Sequence, residues 1–198
     1  MHDQRTGFLL LHGWQNHRPE DHWQHRTAAA LRRRGLLVEY PQLPSADAPV
    51  VDEWSAAVLD ALARLDESGQ VDHVVVVAHS LSVLLWLGAR PESPVAISRV
   101  LLVSPPSPVV AASFAEIAAF AALPRVVSAL DRGRTRILAS HGDPFNPEGA
   151  LASYGEPLGI PTTMLHGQGH LDIDAGYGEW PSLLDWCLDP ASPIRARE

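Results

Sequence analysis

Apolar residues fall into short runs, separated by polar segments that carry glycine or proline. The strongest run is Val74-Val75-Val76-Val77-Ala78. Consecutive β-branched residues with no alternation predict a strand covered on both faces. Leu81, Val83, Leu84, Leu85, Trp86 and Leu87 then predict a buried helix that ends before Pro91. Similar runs predict strands at Gly7–Leu11, Leu36–Tyr40, Val100–Val103, Arg136–Ser140 and Ile160–Leu165. Between them the apolar spacing turns helical. Trp23, Thr27, Ala30 and Leu31 mark a helix over Pro19–Arg34, and Trp54, Val58, Leu62 and Leu65 mark one capped by Asp52 and running to Asp66. Phe114, Ile117, Phe120 and Leu123 form a stripe over Ala111–Leu130, and a last helix spans roughly Tyr177–Leu188. Strands alternating with helices place the chain in the α/β class. The expected architecture is one domain over residues 1–198, a mostly parallel sheet with helices on both faces. Sites in such sheets lie at the carboxyl ends of the strands.

Composition narrows the function. A net charge of −8 argues against a nucleic-acid partner, which needs clustered cations. The nearest basic cluster, Arg32-Arg33-Arg34, closes a predicted helix, where cations suit the macrodipole. The single cysteine, Cys187, excludes an intrachain disulfide and points to a thiol-tolerant compartment, with a packing role expected for the thiol. Phe8-Leu9-Leu10-Leu11 is too short for a signal peptide or a membrane span, so a cytoplasmic protein with no membrane partner is expected.

Candidate chemistry begins where the valine strand stops. Ala78-His79-Ser80-Leu81-Ser82 puts a serine on a sharp strand-to-helix turn, the arrangement of the nucleophile elbow of an α/β-hydrolase. The usual pattern is Gly-x-Ser-x-Gly; both flanking positions are small here, but neither is glycine. A simple helix N-cap after a parallel strand is the competing reading of Ser80. The rest of the chain separates the two. A serine hydroxyl needs a base, and the base needs a carboxylate to fix its tautomer. In this fold they follow in the order serine, acid, histidine, each after a strand. Asp143 follows the Arg136–Ser140 strand and His170 follows the Ile160–Leu165 strand. His166, Asp172, Asp174 and Asp131 are rivals. His166 lacks the preceding Gly169 that would let the imidazole swing back. Asp172 and Asp174 are too near His170 in sequence, and Asp131 precedes its strand.

His12-Gly13-Trp14-Gln15, directly after the first strand, can aim the Trp14 N–H over the sheet. With the Leu81 N–H it would make the oxyanion hole. His12, Gly13, His79, Pro105 and Phe114 are candidate pocket residues. His17, His22 and His25 invite a metal reading, but no carboxylate geometry supports one. They are expected on a solvated polar face, with no metal and no cofactor.

At these residues the chain resembles the YdeN-like small serine hydrolases, the family that includes retinoblastoma-binding protein 9. The resemblance covers almost the full length. It is carried by His12-Gly13-Trp14-Gln15, Glu20-Asp21-His22-Trp23-Gln24, Asp52-Glu53-Trp54, Ala78-His79-Ser80-Leu81, Ser104-Pro105-Pro106, Ser140 through Phe145, Gly169-His170, and Gly176-Tyr177-Gly178-Glu179-Trp180-Pro181. It implies an α/β-hydrolase fold without a large cap and a triad on Ser80, Asp143 and His170. It also implies hydrolysis of small esters or related acyl compounds through an acyl-enzyme. Two positions depart from the family: Ser82 stands where glycine is expected, and Asp172 where asparagine is usual. A slight displacement at the elbow, rather than its collapse, is expected from Ser82. The competing function is a weak or inactive hydrolase fold that binds a ligand or an unidentified protein partner. The same triad could also run acyl transfer or lyase chemistry.

Overall fold

The computed structural model describes residues 5–88, 92–123 and 131–197. In chain order the elements are β1 (Thr6–Leu11), α1 (Trp23–Arg33), β2 (Val38–Glu39), α2 (Val51–Glu67), β3 (His73–His79), α3 (Leu81–Gly88) and β4 (Ala96–Val103). Then come α4 (Pro108–Ala112), α5 (Ala118–Ala121), β5 (Thr135–His141), a π-helical turn (Leu151–Gly155) leading into α6 (Glu156–Leu158), β6 (Thr162–His166) and α7 (Pro181–Leu188). Among the described residues the six strands form one sheet in the order β2-β1-β3-β4-β5-β6, and every neighbouring pair is parallel.

The uninterrupted valine run has a direct physical explanation. Val74, Val76 and Ala78 face one core with Leu9, Leu11, Val100 and Leu102, beneath α2 and α3. Val75 and Val77 face a second core with Phe8, Leu10, Leu101 and Val103, beneath α1 and α7. The strand alternates, but between two apolar layers rather than between core and water. Each valine, leucine or phenylalanine among them contributes roughly 1.5–3 kcal/mol on burial.

The strand order places the site. From β1 the chain moves outward to β2, whereas from β3 it moves the opposite way to β4. The loops leaving β1 and β3 therefore diverge and open a crevice at the carboxyl edge, the position where ligands bind in open parallel sheets.

Several boundaries differ from the sequence expectation. The second strand shrinks to Val38–Glu39, because the Leu36 N–H is taken by the Leu31 carbonyl at the end of α1. Asp52 lies inside α2 rather than capping it; Val50 is the N-cap, and Asp52 instead faces the positive end of the helix dipole from the first turn. α1 starts at Trp23, with His22 rather than Pro19 at its beginning. Residues 111–130 do not form one helix: α4 ends at Ala112 and α5 restarts at Ala118, and residues 124–130 lie outside the described residues. Ile117 and Phe120 still face the core. α7 begins at Pro181, with Tyr177 packed just before it. Arg32 and Arg33 do occupy the last turn of α1. Cys187 is buried, and burial pushes its thiol pKa up to about 12. Among the described residues no helix is long and apolar enough to cross a membrane.

Candidate active site

Ser80 joins β3 to α3 with φ +56°, a left-handed conformation that is uncommon for a side chain with a Cβ. The surroundings hold it there. The Ser80 N–H donates to the Val103 carbonyl (2.9 Å), and the Val83 N–H donates to the Ser80 carbonyl (2.9 Å). This turn lifts the hydroxyl off the sheet edge.

Asp143 follows β5 after Gly142, at φ +79°. It is 2% exposed, and its Oδ1 accepts the Phe145 N–H at 2.9 Å. The loop is anchored further where Asn146 Nδ2 donates to the Pro105 carbonyl (2.9 Å) and the Ser107 N–H to the Phe145 carbonyl (2.7 Å). His170 follows β6 between Gly169 (φ +57°) and Leu171 (φ +54°), a reversal that turns the ring back over the sheet. His79 Nε2 donates to the His170 carbonyl (3.1 Å), and Trp23 Nε1 donates to the Leu171 carbonyl (2.8 Å).

These loops bring three side chains into one row. His170 Nδ1 lies 2.9 and 3.0 Å from the two Asp143 carboxylate oxygens, and its Nε2 lies 2.8 Å from Ser80 Oγ. The carboxylate requires the proton on Nδ1, so Nε2 is left to accept the Ser80 O–H. His166, the rival, stacks instead on His141 across the β5–β6 edge, with ring centroids 4.9 Å apart.

Gly13 presses against the elbow: a Cβ there would come within 2.7 Å of Ser80 Cβ. Among the described residues neither the Trp14 N–H nor the Leu81 N–H has a hydrogen-bond acceptor. A cavity of about 480 Å³ opens over Ser80. Leu81, Pro106, Ile117 and Phe145 make an apolar wall, and Asn16, Asp172 and Asp174 lie among its polar lining.

Of the expected pocket residues, Gly13 and His79 line the cavity. His12 does not; it is fully buried behind the loop, where Nε2 accepts the Leu43 N–H. Pro106 rather than Pro105 lines it, because Pro105 is turned to Asn146. Phe114 backs the site by packing on Trp14, with centroids 5.1 Å apart. His22, expected on a solvated face, is only 2% exposed and caps α1 by accepting the Gln24 N–H at Nδ1. Phe145, Pro19, Asp172, Ile173 and Asp174 also line the cavity. In the sequence Asp172 and Asp174 stand as rival acids and Pro19 as a helix start, and none of the five reads as pocket lining. Among the described residues no three His, Cys, Asp or Glu side chains converge as a metal site would require.

Burial holds the His12 and His22 pKa values down to about 4, and burial also holds His79 well below its ordinary value. The unfolded chain therefore takes up protons at positions 12 and 22 below about pH 6.5, whereas the folded chain refuses them until about pH 4. Stability is full above that window and falls as the pH drops through it. Each of the two histidines is expected to remove about 2 kcal/mol at pH 5 relative to pH 8. Urea unfolding at the two pH values measures this, and equal stabilities would refute it.

A sequence model of a family described as serine hydrolase matches residues 8–187. The chain belongs to the serine hydrolase family. Solved structures show its fold. The ydeN gene product of B. subtilis superposes on this serine hydrolase with TM-score 0.68 at 17% identity, covering 96% of this chain and 100% of that one. A YdeN-like hydrolase from Pectobacterium atrosepticum gives 0.64 at 20% identity, covering 91% and 88%. A structure from the work on LipS and LipT, described as metagenome-derived lipolytic enzymes, gives 0.64 at 18%, covering 93% and 92%. No curated protein sequence matches the chain.

Proposed function

We propose that this serine hydrolase cleaves small carboxylic esters or related acyl compounds through an acyl-enzyme on Ser80. The observation that carries the reading is the buried row Ser80–His170–Asp143, with contacts of 2.8 and 2.9 Å, built on a serine at φ +56°. Ser80 Oγ attacks the carbonyl while His170 Nε2 takes its proton. The tetrahedral oxyanion receives the N–H groups of Trp14 and Leu81. His170 then protonates the leaving alcohol, and a water activated by the same nitrogen releases the acid. Asp143 keeps the Nδ1 proton in place and stabilises the imidazolium. The apolar wall of Leu81, Pro106, Ile117 and Phe145 suits an acyl chain, while the polar lining suits a more hydrophilic alcohol. The solved structure from the work on LipS and LipT, described as lipolytic enzymes, shares the fold and supports an ester substrate. The lone buried cysteine suits a reducing, cytoplasmic setting.

The test is a panel of p-nitrophenyl esters, amides and thioesters graded by acyl length, run beside a fluorophosphonate probe. Turnover of the esters, with the probe mass on the peptide that carries Ser80, is expected. Absence of both would leave a binding module on a hydrolase scaffold. Product analysis with competing alcohols separates hydrolysis from acyl transfer.

A further inference from the structure

We infer that Ser82, the residue that breaks the elbow pattern, is a positioning residue that holds the oxyanion loop to the nucleophile helix. The inference rests on the function proposed above. Ser82 is fully buried in the first turn of α3, and its hydroxyl donates to the carbonyl of His12, 70 residues earlier and directly after β1. A glycine at this position, the usual occupant of the elbow pattern, has no donor to offer.

The next peptide is locked as well. His12 Nε2 accepts the Leu43 N–H at 2.9 Å and so carries no proton. Burial keeps the ring neutral near pH 7. The proton therefore sits on Nδ1, which donates to the Gly13 carbonyl at 2.8 Å. In a trans peptide the carbonyl and the following N–H point in opposite directions. Holding the Gly13 carbonyl toward the His12 ring thus turns the Trp14 N–H away from it, and Gly13 itself lies against Ser80.

Two consecutive carbonyls are pinned, one by the His12 ring and one by Ser82. The ring ties the loop to the Leu43 segment, not to the nucleophile helix. Ser82 is different, because it belongs to the helix that directly follows the nucleophile and carries the other oxyanion donor, Leu81. Its bond is the cross-tie that sets the spacing between the two donors. That spacing matters because an oxyanion donor acts within about 2.7–3.1 Å.

The experiment compares wild type with Ser82→Ala, Ser82→Gly and Ser82→Thr. In the alanine and glycine variants kcat on the best p-nitrophenyl ester is expected to fall about 10- to 100-fold, with KM within about twofold. An alkylboronic acid, whose tetrahedral adduct on Ser80 places an oxygen in the hole, is expected to lose affinity by the same factor. Threonine keeps the hydroxyl and is expected to retain kcat, even if its extra methyl lowers the melting temperature. A purely structural role would move the melting temperature without a matched loss of kcat and boronate affinity. Alanine and glycine variants within twofold of wild type in both readouts would overturn the inference while leaving the hydrolase reading intact. A wild type that neither turns over esters nor labels at Ser80 would overturn both.

Discussion

Ser80→Ala is expected to lower ester hydrolysis by on the order of ten-thousand-fold or more and to abolish fluorophosphonate labelling, with the fold retained. The hydroxyl is the only group removed. The turn is held by backbone bonds to Val103 and Val83, which the substitution leaves untouched. Alanine keeps a Cβ at φ +56° and so keeps the backbone strain, which Ser80→Gly would relieve. The glycine variant is therefore expected to melt no lower than the alanine variant while being equally inactive. That pairing separates loss of chemistry from loss of structure. Residual turnover would come from the oxyanion donors and substrate binding, which both variants keep. Activity of Ser80→Ala within tenfold of wild type would mean that another group is the nucleophile.

Asp143→Asn is expected to cost about four orders of magnitude in kcat with little change in stability. The reason lies in a shared hydrogen-bond network. Asp143 Oδ1 accepts the Phe145 N–H while both carboxylate oxygens face His170 Nδ1. An asparagine has one acceptor oxygen. If the Phe145 N–H keeps it, the amide NH₂ must face His170. Nδ1 then becomes an acceptor and the ring proton moves to Nε2, where it points at Ser80. The base arrives already protonated on the nitrogen that should take the proton. The bond to Phe145 survives, so the loop and the melting temperature should hold. Steady-state kinetics beside a thermal melt checks the prediction. A fall of less than tenfold would show that the carboxylate does not set the tautomer.

The parts of this molecule legible in the sequence are those fixed by unbroken local signals. Val74–Val77 read as a strand covered on both sides, and the two cores it separates account for it. Ser80, Asp143 and His170 were nominated by order and by position after strands, and the fold brings them within hydrogen-bonding distance. Patterns that report burial rather than hydrogen bonding misled. The stripe Phe114, Ile117, Phe120 has helical spacing, yet the backbone between Ser113 and Ile117 leaves the helix while Ile117 and Phe120 still reach the core. Leu36 and Leu37 read as strand but mostly pack, and the ladder claims only Val38 and Glu39. His12 and His22 read as surface or pocket residues because imidazole is polar. Their burial depends on partners, Leu43 and Gln24, that supply backbone N–H groups. Sequence spacing carries no record of such pairings.

Gln15, Asn16, Pro106, Ile173 and Asp174 all border the cavity, and none belongs to a strand or helix. These turns can be recomposed without touching either apolar layer, whereas Leu81 and Ile117 on the apolar wall belong to one of those layers. Directed evolution confined to the turns is expected to redraw the polar side of the cavity while the fold is kept.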